Sequence, residues 1–275
     1  MISSSIASYS KAVSLIETSG YDRPGFAARY DRHRPRPPEA LLEWLARYAR
    51  TERSALVVDL GCGTGLSTRA WSGRAERTIG IEPNAAMLAI AEDAQGVEYR
   101  EAFAQETGLE DGCADIVTCS QSLHWMEPEP TFAEAARILR PGGIFAAYDY
   151  DWPPVVDPEV DAAYDAYHAR RGEFRRKHGI QRGADRWPKS GHLERMRESG
   201  HFAFCRELLF HSLEEGNADR IVGFAYSLGL PAVDLGDEEI DRELRIGELE
   251  KVARRVLGDR TVPFLFGYRV RAGVR

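Results

Sequence analysis

Two hydrophobic periods alternate along the first 150 residues. Residues 38–50, PEALLEWLARYAR, set Leu41, Leu42, Leu45 and Tyr48 at helical spacing. The apolar run SALVVDL then reads as a buried strand that ends in Gly61, Gly63 and Gly65. A short helix is expected from Leu66, a strand at RTIGIE, and a helix over NAAMLAIAEDA that Asn84 can cap. Strands follow at GVEYRE and ADIVTCS. The helix TFAEAARILRPGG, stopped by Pro141, Gly142 and Gly143, then leads into a fifth strand, GIFAAYDYD. Such alternation with short connections buries a parallel sheet between helical layers and predicts an α/β, doubly wound fold.

Beyond Trp152, Pro153 and Pro154 the rhythm changes. Residues 158–200 read as helices rich in Arg and Tyr, 204–215 as a strand that His211 ends, 218–229 and 237–257 as helices, and 263–274 as a closing strand. The expectation is a seven-stranded, mostly parallel sheet in a single domain spanning 1–275. Within it, 1–50 form an N-terminal helical cap, 51–150 the core, 151–202 a helical insert over the substrate, and 203–275 the strands and helices that complete the sheet. Ile6, Tyr9, Val13 and Ile16 can form one face of a short amphipathic helix.

Composition narrows the partners. The 275 residues are 43% hydrophobic and carry a net charge of −7, which repels nucleic acid and anionic membrane. Cys62, Cys113, Cys119 and Cys205 have no CxxC or zinc-ribbon spacing and read as reduced thiols. No stretch approaches a membrane span and the N-terminus lacks a basic leader, so a cytoplasmic protein is expected.

Candidate chemistry begins at VVDLGCGTG. Asp59 stands at a strand end, and the glycines after it let a ligand approach bare backbone. About twenty residues on, Glu82 ends the next strand, where a carboxylate can accept both ribose hydroxyls of a nucleoside. A nicotinamide fingerprint would place a third glycine where this chain has Leu66. The form D-x-G-x-G-x-G, with GIEPNAAML and LRPGGIFAAYDY after it, resembles the class I S-adenosylmethionine-dependent methyltransferases over residues 25–150.

That resemblance implies a Rossmann-like fold and S-adenosylmethionine as cofactor. It implies Gly61 and Gly63 beside the methionine portion, Asp59 holding the loop and the amine, and Glu82 on the ribose. Where relatives carry Gly-Asp-Ala after the third strand this chain reads EAFAQ, so Phe103, Ala104 and Gln105 are expected around the adenine. The leader YDRHRPRPPEALLEWL resembles that of small-molecule members, which implies Tyr30 and Arg34 over the methionine carboxylate, although its second aromatic is here His33.

The fourth strand ends in SQSLHW, delivering Ser120, Gln121 and His124 where the methyl group should lie; Ser120 is expected on the cofactor. An unperturbed imidazole (pKa ~6.5) can take a proton near neutrality or bind a metal. SQSLHW together with residues 207–229 resembles a bacterial subgroup that includes α-keto acid C-methyltransferases. This implies β-carbon methylation of a 2-oxo acid through an enolate on a divalent metal, zinc or iron, held by His124, His211 and Gln121. Arg182 and Arg186 are expected to clamp the substrate carboxylate, with Tyr148 and Trp152 as pocket wall. Asp149 and Asp151 could meet a cationic substrate tail or only cap the loop after the fifth strand. The alternatives are O- or N-methylation with His124 as general base, RNA methylation through the basic insert, and a non-catalytic cofactor-binding protein.

Overall fold

Seven apolar or alternating runs become strands, and hydrogen bonding places them in the order β3-β2-β1-β4-β5-β7-β6. The computed structural model describes residues 26–179, 187–228 and 237–275. The elements are α1 (Phe26–His33), α2 (Glu39–Tyr48), β1 (Ser54–Leu60), α3 (Leu66–Arg69), β2 (Ala75–Ile81), α4 (Ala85–Leu88) and β3 (Val97–Arg100). They continue with β4 (Ala114–Ser120), α5 (Pro128–Ile138), β5 (Leu139–Tyr150), α6 (Pro158–Lys177), α7 (His192–Glu198), β6 (Ala203–Gly216), α8 (Ala218–Tyr226), α9 (Asp237–Leu244), α10 (Ile246–Leu257) and β7 (Val262–Val274). Strands β1 to β5 pair in parallel, and β7 returns antiparallel to β5, as a reversed terminal strand requires. The strand order reverses between β1 and β4, so the loops after these two strands open at the same end of the sheet, where ligands bind in open α/β folds.

The chain groups into two units that interleave in sequence: residues 36–150, 184–212 and 267–275 form a sheet unit, and the remainder a helical unit. This grouping cuts across the contiguous segments expected from the sequence. Residues 187–202 join the sheet unit because Met196 and Phe202 are buried in its core cluster with Leu60, Val117, Phe132 and Phe145. Phe145 and Phe202 stack at 5.1 Å, and Phe132 meets both edge-on at 5.7 and 5.9 Å. In the helical unit, Asp157 caps α6 and Asn217 caps α8, each accepting a backbone N–H. Arg34 is buried there. It donates to the Ser227 hydroxyl and carbonyl and lies over the rings of Tyr30 and Trp152, 4.4 and 4.7 Å from their centroids.

Three elements depart from the sequence expectation. The helix after Asn84 lasts only four residues. Asn84 caps it through Ala86 and Met87 N–H, but Ile90 is left exposed, so the apolar positions beyond find no surface to bury against. Helix α5 begins at Pro128, which supplies a fixed first turn. Strand β6 does not end at His211 but runs on to Gly216. The amphipathic segment expected at 6–16 lies outside the described residues. Among the described residues no helix is long and apolar enough to cross a membrane.

Phe145→Ala removes a ring with no exposure from the aromatic triad. It should lower unfolding free energy by about 3–5 kcal/mol, read from the midpoint of a urea melt at unchanged slope.

Candidate active site

The glycine loop is shaped by one carboxylate. Asp59 is fully buried; its Oδ2 accepts from Ser67 Oγ (2.5 Å) and Thr68 Oγ1 (2.8 Å), its Oδ1 from Thr118 Oγ1 (2.8 Å). Burial pushes its pKa up, against the pull of these three hydroxyls. Residues 60–66 thus hang between two attachments to the same side chain.

Of the three glycines, two make room for protein. A Cβ on Gly61 would come within 2.6 Å of both Ser122 and Met126, and one on Gly65 would strike the Tyr99 ring. Gly63, at φ +57, faces only the tip of Met87 at 3.3 Å, the movable end of a side chain rather than a ring or a loop. Gly63 N donates to Glu82 Oε2 and Asn84 N to Glu82 Oε1, both at 2.9 Å. Each oxygen keeps lone pairs for further donors. Burial raises the Glu82 carboxyl to about 7 despite these two bonds. A glycine backbone donating to such a carboxylate fits an adenosyl ribose. In the adenine segment Phe103 is half-buried and forms a tight turn with Glu106, while Ala104 is buried in the core cluster. Tyr30 and Arg34 lie in the helical unit, where Arg34 is engaged with Ser227.

The loop after β4 carries the second part of the site. Ser122 Oγ donates to Leu60 O (2.6 Å), fastening this loop to the end of β1. Gln121 adopts φ +54, rare for a residue with a side chain. Its N–H donates to Tyr148 O, its Nε2 to Tyr150 O (3.3 Å), and its Oε1 accepts from Lys189 Nζ (2.5 Å). His124 is half-buried in a single 3₁₀ turn, Leu123–Trp125, its ring 5.5 Å from Trp125.

Asp149, near the end of β5, meets Lys189 (2.7 Å) and Arg271 (3.0 Å). Burial would raise its pKa, but Lys189 and the neighbouring imidazoles of His124 and His192 outweigh it and hold the acid below its ordinary range. Asp149 is therefore occupied from within the chain rather than open to a cationic substrate tail. Sequence spacing gave no sign of Lys189 or His192, which stand 68 and 71 residues from Gln121.

Tyr148 is enclosed in the core at 1% exposure, its phenol pushed well up by burial beside Asp59 and close to Ser120 and Ser67. Trp152 stacks on Phe224 at 4.4 Å inside the helical unit. Arg182 and Arg186 lie outside the described residues. Arg170, Arg171 and Lys177 of the basic run are engaged with Leu244 O, Leu228 O and Glu243, so they form no open cationic stripe.

The ligand set His124, His211 and Gln121 does not fit a metal. His211 is exposed in the middle of the edge strand, and the Gln121 oxygen already faces an ammonium that would repel a cation. Among the described residues no group of three His, Cys, Asp or Glu is placed to hold one.

With this geometry in view, residues 58–147 match the family model described as a methyltransferase domain. The chain is similar to a candidate type II methyltransferase from Anaeromyxobacter dehalogenans, at 28% identity and a TM-score of 0.62, covering 88% of this chain and 97% of that one. The sheet is the Rossmann-like methyltransferase fold. A probable S-adenosylmethionine-dependent methyltransferase of Saccharomyces cerevisiae is 31% identical over 160 residues, 55% of each chain. A ubiquinone biosynthesis O-methyltransferase of Aromatoleum aromaticum is 34% identical over 109 residues, 37% of this chain and 46% of that protein. The chain thus spans about half the length of the curated relatives it matches.

A ribose held by the raised Glu82 acid would bind with a dependence on pH. Ribose hydroxyls donate to the ionised form, so affinity rises with pH through about 7. S-adenosylhomocysteine should bind about tenfold more weakly at pH 6 than at pH 8 by calorimetry, and Glu82→Gln should flatten the profile. By linkage, the stability this raised carboxyl contributes is complete below 4.5 and is lost as pH climbs through about 7.

Proposed function

We propose that the protein is an S-adenosylmethionine-dependent methyltransferase acting on a small molecule. The observation that carries this reading is the convergence, at one end of the sheet, of the Gly63 backbone, the Glu82 carboxylate it donates to and the polar loop Gln121–His124. The cofactor, when bound, offers a sulfonium methyl group to an in-line nucleophile. The protein's share of that reaction is positioning and proton removal. Glu82 and the Gly63 backbone hold the nucleoside, with Asp59 keeping the loop in shape; by the family resemblance Asp59 also faces the methionine amine.

His124 is the proton acceptor in this reading. It stands on a turn fastened to β1 through Ser122, and Asp149 lies close enough to act on it electrostatically. An imidazole that gains a proton there is favoured by the acid. Gln121 fixes the end of β4 beside it.

The acceptor we favour is a 2-oxo acid methylated at its β-carbon, supported by the resemblance of SQSLHW and residues 207–229 to α-keto acid C-methyltransferases. No metal step is included, because the residues expected to ligate one are engaged or exposed. O-methylation is the second reading, favoured by the similarity to the Aromatoleum O-methyltransferase.

The deciding measurement is S-adenosylhomocysteine release with a panel of 2-oxo acids and phenols, each run with and without a chelator. Turnover of the acids, indifferent to chelator, is expected. Turnover of phenols alone would move the assignment to O-methylation, and activity lost to the chelator would restore a metal. His124→Ala should lower kcat by about 100-fold or more while leaving S-adenosylhomocysteine affinity unchanged; an unaltered kcat would remove it from the chemistry.

A further inference from the structure

Asp149 meets two cations. Arg271, 4% exposed in its side chain, completes a buried pair with it at 3.0 Å and is itself balanced by Glu207 at 2.9 Å. One such partner, with its hydrogen bonds, is what a buried carboxylate needs to offset desolvation. Lys189 is the second cation, at 2.7 Å, and its side chain is about one-third exposed, at 34%. It stands on a 3₁₀ turn, Lys189–Gly191, in the sheet unit.

The ammonium is held at two points rather than left to swing on its four-carbon stem. One proton goes to Asp149 Oδ1 and one to Gln121 Oε1. The Gln121 amide can take only one orientation: its NH₂ end donates to Tyr150 O, so its oxygen must face the lysine. Presenting the amide there requires the left-handed backbone at Gln121. An ammonium has three donors, and two are used among the described residues.

The neighbouring His192 adds no negative charge. His192 is fully buried, its Nδ1 accepts from Arg195, and burial lowers its pKa to about 4, so it is neutral with the proton on Nε2. That Nε2–H has no partner among the described residues. Beside the ends of β4 and β5 stands a fixed cation, Lys189, with one donor unused among the described residues.

We propose that Lys189 Nζ binds an anionic oxygen of the methyl acceptor, with Asp149 and Gln121 as positioning residues that aim it. The proposal rests on the methyltransferase reading above and names the substrate contact within it. The acceptor's anion is a carboxylate or an ionised enol or phenol, chemistries that share an oxygen able to take one charge-assisted hydrogen bond.

The test uses the full chain saturated with S-adenosylhomocysteine, into which oxalate is titrated calorimetrically. Alongside it, KM and kcat are measured for 2-oxo acids, their neutral amides and a catechol. Wild type should bind oxalate. Lys189→Met should weaken oxalate and raise KM for anionic acceptors about ten- to hundredfold, with S-adenosylhomocysteine affinity and KM for neutral amides unchanged. Lys189→Arg should retain part of the affinity, and Lys189→Gln, which can still bond Asp149, serves if the methionine variant is unstable. A KM effect on the acids identifies the carboxylate as the ligand, and one on the catechol alone identifies a phenolate. Equal oxalate affinity in wild type and Lys189→Met overturns the proposal, as does a wild type that binds S-adenosylhomocysteine yet neither binds oxalate nor turns over anionic acceptors. Failure of the wild type to bind S-adenosylhomocysteine would instead defeat the methyltransferase reading, and oxalate titrated alone would then judge Lys189.

Discussion

The site depends on a carboxylate that no solvent reaches. Asp59 gathers hydroxyls from the first turn of α3 and from β4 while belonging to β1 itself. An acid buried without donors would cost several kcal/mol or take up a proton; three hydroxyls reduce that cost and, in doing so, fix the relative positions of the three elements. The glycine loop inherits its shape from this arrangement. Its Gly63 N–H then reaches Glu82, whose other oxygen holds the N–H of Asn84, the residue that caps α4. Three successive elements are thereby coupled through side-chain acceptors to one buried anchor.

Most of the sheet was legible in the sequence because its strands are buried on both faces and read as unbroken apolar runs. The reversed last strand followed from the family resemblance, and its register against β5 agrees. His211 was expected at a strand end, but the strand-like pattern already ran on through Glu214 and Glu215. On an edge strand, charged side chains face water and cost nothing, so the hydrogen-bonded ladder continues past them.

The glycine-loop half of the candidate site was easier to read than the half after β4 for a related reason. Asp59, the glycines and Glu82 lie within about 25 residues and on adjacent strands, so spacing alone carries the signal. The other half joins the ends of β4 and β5 to a turn at Lys189, in a stretch whose many basic residues look alike in sequence. Only folding separates those spent on neighbours, such as Arg170 and Lys177, from the one placed beside Asp149.

The left-handed backbone at Gln121 sets protein stability against site geometry. Glycine would adopt that conformation without the penalty a side chain incurs, on the order of 1–3 kcal/mol. It would also delete the amide that bridges Tyr150 and Lys189. Asparagine tolerates the backbone, but its shorter side chain reaches less far. The position is therefore a place where conformational ease and an ordered polar network pull in opposite directions. Selection for thermal tolerance alone would favour glycine at Gln121 and loosen the end of β4.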